Sequence, residues 1–277
     1  MKKQFLLLAG LCLYLSGLAQ TDTTGKSNAG NSSDTIKVGS MIIVKSGNGN
    51  DKVEDHEVYT HHRHYYHPSN ISTNWVIIDI GFANYTDRTN YSSVETQQFA
   101  PGSTSDWFNL RYGKSVDVNI WLFMQRLNLI KHVVNLKYGF GIELNNYRYT
   151  ANIKYLTNPT KVIMDTISYS KNKLATDYVT IPVMLNFNLT PHLRHDFGFS
   201  VGASFGYLYS SRQKLISDEF GKQKTHDSFD LNPWKISWIA EIQLGPIKFY
   251  GSYATQSIFK KGLDQVPYNV GIRLSNW

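Results

Sequence analysis

The densest group of residues with metal-binding chemistry is a run of histidines in the first quarter of the chain. Five of the nine histidines fall within residues 56–67, HEVYTHHRHYYH. Imidazole nitrogens bind Zn, Cu and Ni, so His61, His62, His64 and His67 are candidate ligands. Their spacing matches no closed metal site, because no cysteine and no HExxH motif accompanies them. We favour a solvated, partly cationic linker, and we predict neither a metal nor a cofactor.

A second group has residue types that hydrolysis requires. A nucleophilic triad places a serine beside a histidine that a carboxylate orients. His226, Asp227 and Ser228 are consecutive in a predicted loop, whereas His132, His192 and His195 fall at predicted short turns. Neighbours in a loop are weak evidence for a triad, and the chain has no Gly-rich phosphate loop. We therefore predict that the protein is not an enzyme, and a lipid-modifying hydrolase is the least favoured alternative.

Charged residues also alternate with apolar ones along extended segments. In VVNLKYGFGIELN, residues 133–145, the even positions are apolar or aromatic, and the odd positions from 135 onward are polar or glycine. Period 2 is typical of a strand with one apolar and one polar face. Continued along the chain, this alternation puts seven charges on polar faces: Asp79, Asp117, Lys137, Glu143, Glu241, Lys248 and Arg273. Unpaired buried charges are costly, so we predict a structural ion-pair network, with a gate or proton path as the alternative.

These residues require long strands to position them, and the sequence predicts eight. They are residues 75–85, 115–125, 133–145, 177–189, 197–211, 234–244, 247–253 and 268–277. A tilted strand needs about 9–11 residues to cross a bilayer. The second strand is expected to place Met124 on its apolar face and Gln125 on its polar face. Pro182 predicts a bulge or local irregularity in the fourth, and small residues along one face of the fifth suit a narrow lumen.

The connections between these strands alternate in length. Residues 86–114, 150–176 and 212–233 form long polar loops, whereas 126–132, 190–196 and 245–246 are short. Long outer loops and short periplasmic turns are typical of outer-membrane barrels. We therefore predict an all-β fold, an eight-stranded antiparallel up-and-down transmembrane β-barrel with its apolar face toward lipid. The three long loops are expected to contact protein partners. The alternative is a soluble lipocalin-like barrel, which would turn the apolar face inward.

The first residues read as a secretory signal. Lys2 and Lys3 precede an apolar run, and Gly17-Leu18-Ala19 supplies a small-residue cleavage site. The run is too short for the alternative of an N-terminal membrane anchor. We predict a signal peptide at 1–19, a flexible periplasmic polar and His-rich linker at 20–73, and an outer-membrane β-barrel at 74–277. Cys12, the single cysteine, lies in the leader, so the mature chain would have no disulfide or thiolate site.

Composition excludes one class of partner. The formal net charge is +7, but no basic stripe with interleaved aromatic residues appears, so we predict no nucleic-acid binding. Aromatic residues make up 14% and charged residues 18% of the chain, which fits a barrel with aromatic girdles. We expect the protein in the cell outer membrane with its N-terminus in the periplasm. Its surroundings there would be outer-membrane lipid and lipopolysaccharide.

Several segments carry a resemblance to known proteins. The C-terminal GIRLSNW resembles the signal that barrel-assembly machinery reads, although Trp277 has the opposite parity to Ile272 and Leu274. The segments DTIKVGSMIIVKSG, YVTIPVMLNFN, VGASFGYLYSSRQK and FDLNPW resemble the PorT-like eight-stranded outer-membrane β-barrel proteins of Gram-negative bacteria. That resemblance implies an outer-membrane location but no single shared activity. We expect a structural or interaction role through long extracellular loops, with an accessory barrel of a protein secretion or transport complex as the alternative.

Overall fold

The computed structural model describes residues 35–38, 41–44, 69–191, 197–245 and 247–275. The chain divides into two compact units, Met1–His61 and His62–Trp277. In the first unit, β1 (Thr35–Val38) pairs antiparallel with β2 (Met41–Val44). The predicted signal peptide, the histidine cluster and Trp277 lie outside the described residues. Within the described part of the chain, no helix has both the length and the apolar character that crossing a membrane requires.

The second unit is a closed β-barrel. Its strands are β3 (Ile71–Asp87), β4 (Val116–Ile130), β5 (Val134–Arg148), β6 (Ile153–Thr157), β7 (Thr160–Met164), β8 (Lys171–Asn188), β9 (Phe197–Ser217), β10 (Gly221–His226), β11 (Trp234–Leu244), β12 (Ile247–Ala254) and β13 (Gln265–Leu274). Eight of them pair antiparallel in the order β3, β4, β5, β8, β9, β11, β12, β13. β13 pairs back onto β3, which closes the ring. The predicted eight-stranded antiparallel up-and-down barrel is confirmed.

Alternation along each strand decides which side chains fill the barrel. In β5 every odd position from Asn135 to Tyr147 is buried, and every even position is partly exposed. β9 turns Gly198, Ser200 and Ser204 inward and Phe199, Val201 and Phe205 outward. The small inward residues leave the lumen to larger side chains from the opposite wall, as a narrow barrel requires. The outer surface is therefore apolar and the interior polar.

A β-bulge changes this alternation in β4. Trp121 pairs with Gly141 but Phe123 pairs with Phe140, so Leu122 is the extra residue. An extra residue reverses the parity of everything beyond it. Met124 consequently points inward and is fully buried in a small cluster with Ile77 and Met184. The prediction that Met124 faces outward and Gln125 inward was wrong for this reason.

Two further irregularities involve β8, one in its ladder with β9 and one in its ladder with β5. Asp177 pairs with Ser210 but Tyr178 pairs with Leu208, so Tyr209 is an extra residue in β9. Pro182 keeps its register with Ser204, whereas the β5–β8 ladder is interrupted between Tyr138 and Gly141. Proline has no N–H to donate to a ladder. The predicted irregularity at Pro182 is therefore an interrupted ladder, without a bulge.

The two ends of the barrel differ, and we name them by their connections. The turn end carries the short β4–β5, β8–β9 and β11–β12 connections, and the loop end carries the long ones. The strands run further into the loop end than predicted, since β3 ends at Asp87, β8 begins at Lys171 and β9 ends at Ser217. The loops also contain α1 (Val94–Phe99), a 3-10 helix (Ser105–Phe108), the β6–β7 hairpin and β10, which extends β9 as a hairpin.

The long loops pack together over the barrel mouth. Their apolar residues form one buried cluster, which we call the loop cap: Phe99, Ala100, Phe108, Leu110, Tyr149, Ile153, Tyr155, Val162, Phe229, Leu231, Ile258, Phe259 and Leu263. Tyr155 lies at its centre, stacked on Phe259 at 6.2 Å and edge-on to Phe229 at 5.5 Å between ring centroids. Such pairs add about 0.5–1.5 kcal/mol each beyond burial. The loops expected to be polar segments thus share an apolar core.

Candidate functional site

All seven charged residues predicted for the lumen point inward and are buried. Asp79, Asp117, Lys137, Glu143, Glu241, Lys248 and Arg273 each have 5% or less of their surface exposed. They come from six strands, β3, β4, β5, β11, β12 and β13. Burying a charge is unfavourable unless hydrogen bonds and an opposite charge compensate it. Their partners therefore decide what the lumen can do.

Four of these residues form one connected network. Arg273 donates from Nε and Nη2 to the two oxygens of Asp79, at 2.7 and 2.8 Å. Its Nη1 pairs with Glu241, whose other oxygen accepts from the Nζ of Lys137 at 2.6 Å. Asp79 and Arg273 are direct cross-strand partners, whereas β5 and β11 are not adjacent in the ring. The network therefore crosses the lumen and ties opposite walls together.

A second ion pair crosses the lumen between the same two walls. The Nζ of Lys235, on β11, pairs with a carboxylate oxygen of Glu143, on β5. The same ammonium lies 4.9 Å from the centroid of the Tyr178 ring, within cation–π range. Lys235 was not predicted from the sequence. It shares the odd-numbered face of β11 with Ser237 and Glu241, so the alternation already contained the signal.

Asp117 and Lys248 have neutral hydrogen-bond partners. The Oδ2 of Asp117 accepts from the hydroxyl of Tyr250 at 2.5 Å and from the Nδ2 of Asn119 at 2.9 Å. Lys248 donates to the hydroxyl of Ser275 near the turn end. The structure thus brings five of the seven predicted residues into ion pairs with one another or with Lys235, and the interactions of Asp117 and Lys248 include these hydrogen bonds.

Neutral side chains that the sequence analysis did not select complete the network. Trp121 donates from Nε1 to Asp79 at 2.7 Å, and Gln243 donates to Glu241 at 2.9 Å. The guanidinium carbon of Arg273 also lies 5.7 Å from the Trp121 ring centroid. Satisfying the remaining lone pairs of a buried carboxylate lowers the cost of keeping it charged. The network is therefore a structural element in which hydrogen bonds and ion pairs compensate each buried charge.

Little space remains at the level of the network. A cavity of about 20 Å³ is lined by residues that include Asp79, Glu143, Glu241 and Arg273. That volume suffices for about one water molecule. Gly81 is required here, since a Cβ at this position would lie 2.4 Å from the backbone oxygen of Val270 and 2.6 Å from the Tyr250 hydroxyl. Side chains therefore fill the lumen at this level and leave no room for a hydrated solute.

The loop cap is anchored to the barrel rim by buried amides. Gln213 of β9 accepts from the backbone N–H of Tyr155 at 2.9 Å and donates to the carbonyl of Ile153 at 3.0 Å. Asn172 of β8 donates to the same carbonyl at 2.6 Å. Burial raises the pKa of both Tyr149 and Tyr155, whose hydroxyls hydrogen-bond at 2.8 Å, so both remain neutral. The β6–β7 hairpin is thereby fixed over the lumen.

The residues considered for hydrolysis are not arranged as a triad. His226 is exposed on β10 opposite Arg212, and within the described residues no hydrogen bond joins it to Asp227 or Ser228. The hydroxyl of Ser228 instead donates to Asp227 at 3.3 Å. His132 lies in the β4–β5 turn, and His192 and His195 lie outside the described residues. Among the described side chains, no group of three or more His, Cys, Asp or Glu is placed to hold a metal ion.

Comparison with known proteins bears on the barrel as a whole. A family model described as "Outer membrane protein beta-barrel domain" matches residues 80–259. A search of curated proteins found no match. One similar solved structure is Ail, the attachment invasion locus protein of Yersinia pestis, crystallised with the heparin analogue sucrose octasulfate. It is 11% identical, with a TM-score of 0.29, over 73% of this chain and 98% of that chain.

Proposed function

Because the chain belongs to the outer membrane protein β-barrel domain family, we propose that it acts as a non-enzymatic structural or interaction barrel. The observation that carries this proposal is the combination of a filled lumen and an ordered loop cap. Ion pairs cross the lumen at two levels and leave a cavity of about 20 Å³. A barrel closed in this way offers its outer surface and its loops to partners, and no solute path.

We propose that the loop end lies outside the cell and the turn end in the periplasm. β3 begins at Ile71 and β13 ends at the turn end, so the part of the predicted linker that precedes β3, residues 20–70, would lie in the periplasm. Short periplasmic turns and longer outer loops are the usual arrangement. The C-terminal strand would then be available to barrel-assembly machinery from the periplasmic side. Residues 86–114, 150–176 and 212–233 would present the partner-binding surface.

Cysteine labelling of intact cells tests this orientation. The mature chain is proposed to lack cysteine, so each introduced thiol would be unique. Tyr112, 83% exposed in the β3–β4 loop, and Lys131, exposed in the β4–β5 turn, are the sites for substitution. Tyr112→Cys should react with a membrane-impermeant maleimide on intact cells, and Lys131→Cys only after permeabilisation. Labelling of Lys131→Cys on intact cells, with Tyr112→Cys protected, would contradict the orientation.

The second candidate function is an accessory barrel of a secretion or transport complex. The resemblance of four segments to PorT-like proteins supports it. Extraction in mild detergent, followed by affinity purification, distinguishes the two functions. Stoichiometric recovery of periplasmic and inner-membrane components would favour the accessory role. Recovery of the barrel alone, or with a surface ligand, would favour the first proposal.

A lipid-modifying hydrolase has the least support, since within the described residues no hydrogen bond joins His226 to Ser228. Folded protein incubated with phospholipid and with lipid A should release no more fatty acid than its Ser228→Ala variant. Release by the wild-type protein that is lost on Ser228→Ala would show that the non-enzymatic proposal is wrong.

A further inference from the structure

Four cations lie directly opposite one another across four adjacent strands. Arg148 of β5 pairs with Lys173 of β8, Lys173 with Lys214 of β9, and Lys214 with Lys224 of β10. Neighbouring strands are about 4.8 Å apart, so the row extends over roughly 15 Å. Like charges directly opposite in a sheet are destabilising. A row of four has a cost that an anionic ligand would offset.

Adjacent rows enlarge the positive surface. Lys171 and Lys222 flank Ile216 in the next row, and Arg212 lies opposite His226 in the row on the other side. We name these residues the basic patch: Arg148, Lys171, Lys173, Arg212, Lys214, Lys222 and Lys224. Lys222 and Lys224 of β10 are exposed, and the patch residues of the longer strands are half-buried.

The basic patch faces sideways, out of the barrel wall. In the same part of the strands, the alternate residues Tyr147, Asn172 and Gln213 are buried on the inner side. The extra residue at Tyr209 produces this arrangement, since it reverses the parity of β9 beyond it. Without that bulge, Arg212 and Lys214 would point toward the loop cap.

The basic patch begins where the apolar outer belt ends. Along β9 the outward residues Phe205, Tyr207 and Tyr209 are exposed aromatic rings, and Arg212 follows Tyr209 by three residues, or about 10 Å along the strand. Aromatic residues mark the level where acyl chains give way to headgroups. The cations therefore lie at headgroup height and point along the membrane plane.

Few acidic groups neutralise the basic patch. Arg212 pairs with Asp177, Lys173 donates to the amide oxygen of Asn146, and Arg148 donates to the carbonyl of Ser170. Across the described residues, no salt bridge involves Lys171, Lys214, Lys222 or Lys224, and the nearby Asp218 and Glu219 of the β9–β10 turn form none.

We propose that the basic patch binds the phosphate groups of an outer-leaflet glycolipid headgroup, as carried by the lipid A part of lipopolysaccharide. The proposal rests on the outer-membrane orientation proposed above. A lipid is the indicated source because the cations border the lipid-facing belt and point into the leaflet. Spaced ammonium groups and guanidinium groups match a headgroup that bears more than one phosphate.

The test uses detergent-folded protein and three probes: lipid A with two phosphates, the same lipid A after phosphate removal, and inorganic pyrophosphate. The patch variant is Lys214→Gln with Lys224→Gln. The matched control is Lys114→Gln with Lys260→Gln, which removes the same charge from exposed loop positions outside the patch. A difference in gel migration between unheated and heated samples verifies that each variant is folded.

Wild-type protein should bind phosphorylated lipid A at least tenfold more tightly than the dephosphorylated form. The patch variant should lose roughly tenfold or more in affinity, because it lacks two of the cations that attract an anionic headgroup, and the control should stay within twofold. Equal affinities of the patch variant and the wild-type protein, or no preference for phosphorylated lipid A, would overturn the proposal.

Pyrophosphate that binds as tightly as lipid A would also overturn it and would show a site for soluble anions instead. Failure of the orientation test would leave this detergent measurement unchanged, so the two outcomes remain distinguishable.

Discussion

At the scale of single residues, Glu241 holds the lumen together. It accepts from Lys137, Arg273 and Gln243, so it joins two cations that would otherwise repel each other. In the described lumen four acids face four bases, counting Lys235. Removing one member of a buried charge network leaves the others uncompensated, which costs more than the pair itself contributes.

Glu241→Gln should therefore destabilise the barrel strongly while keeping its volume. We expect a loss of about 3 kcal/mol in the free energy of unfolding, the usual size for breaking a buried pair. Guanidinium unfolding of protein in lipid vesicles measures it. Glu219→Gln, in the exposed β9–β10 turn, is the control and should leave the midpoint in place. Equal midpoints for both variants would show that the network does not stabilise the barrel.

Residue parity predicted which charges face the lumen, because inward and outward positions alternate locally along a strand. It did not predict the pairing. Lys137 and Glu241 are 104 residues apart, and they meet only because the ring closes with a particular stagger between strands. Lys235 has the same parity as the other inward residues of β11, but it was not selected because it is the second residue of the strand and follows the exposed Trp234.

At the scale of elements, the eight strands were predicted from alternation, but their bulges and their loop structure were not. The extra residue at Leu122 satisfies local packing around Met124 and leaves no periodic signal in the sequence. The loop cap was also missed. Its apolar residues are scattered through Ser- and Asn-rich segments, and they become one cluster only when four loops meet.

Spin labels test the bulge in β4. A nitroxide attached at Phe123→Cys should lie in lipid, where collisions with dissolved oxygen increase its relaxation rate. A nitroxide attached at Met124→Cys should lie inside the barrel, where oxygen access is low. Electron paramagnetic resonance with oxygen as the relaxing agent reads both. The opposite order of accessibility would mean that the simple alternation continues through residue 124.

Truncating the centre of the loop cap should loosen the loops without unfolding the barrel. Tyr155→Ala removes a buried ring that packs on Phe229 and Phe259, at a cost of about 3 kcal/mol for a large-to-small core change. Limited proteolysis should then cleave the 149–170 loop at least tenfold faster. Phe220→Ala, at an exposed turn position, is the control and should leave the cleavage rate unchanged. Similar rates for both variants would mean that the cap does not hold the loops.

At the scale of the whole molecule, the barrel has two independent closures. The lumen network ties β5 to β11 across the interior, and the loop cap covers the mouth at the loop end. The outer wall carries the remaining recognition chemistry, an apolar belt bordered by the basic patch. The family match spans residues 80–259, which include most of the barrel strands, whereas the structure of the long loops could not be predicted from alternation.

The most direct test of the closed barrel is ion conductance across a planar lipid bilayer. Folded wild-type protein should produce no sustained conductance steps in concentrated potassium chloride, since the network level holds only about 20 Å³ of free space. A general porin reconstituted in the same way should conduct and thereby validate the assay. Reproducible steps from the wild-type protein, at a size that scales with salt concentration, would contradict a lumen closed by ion pairs.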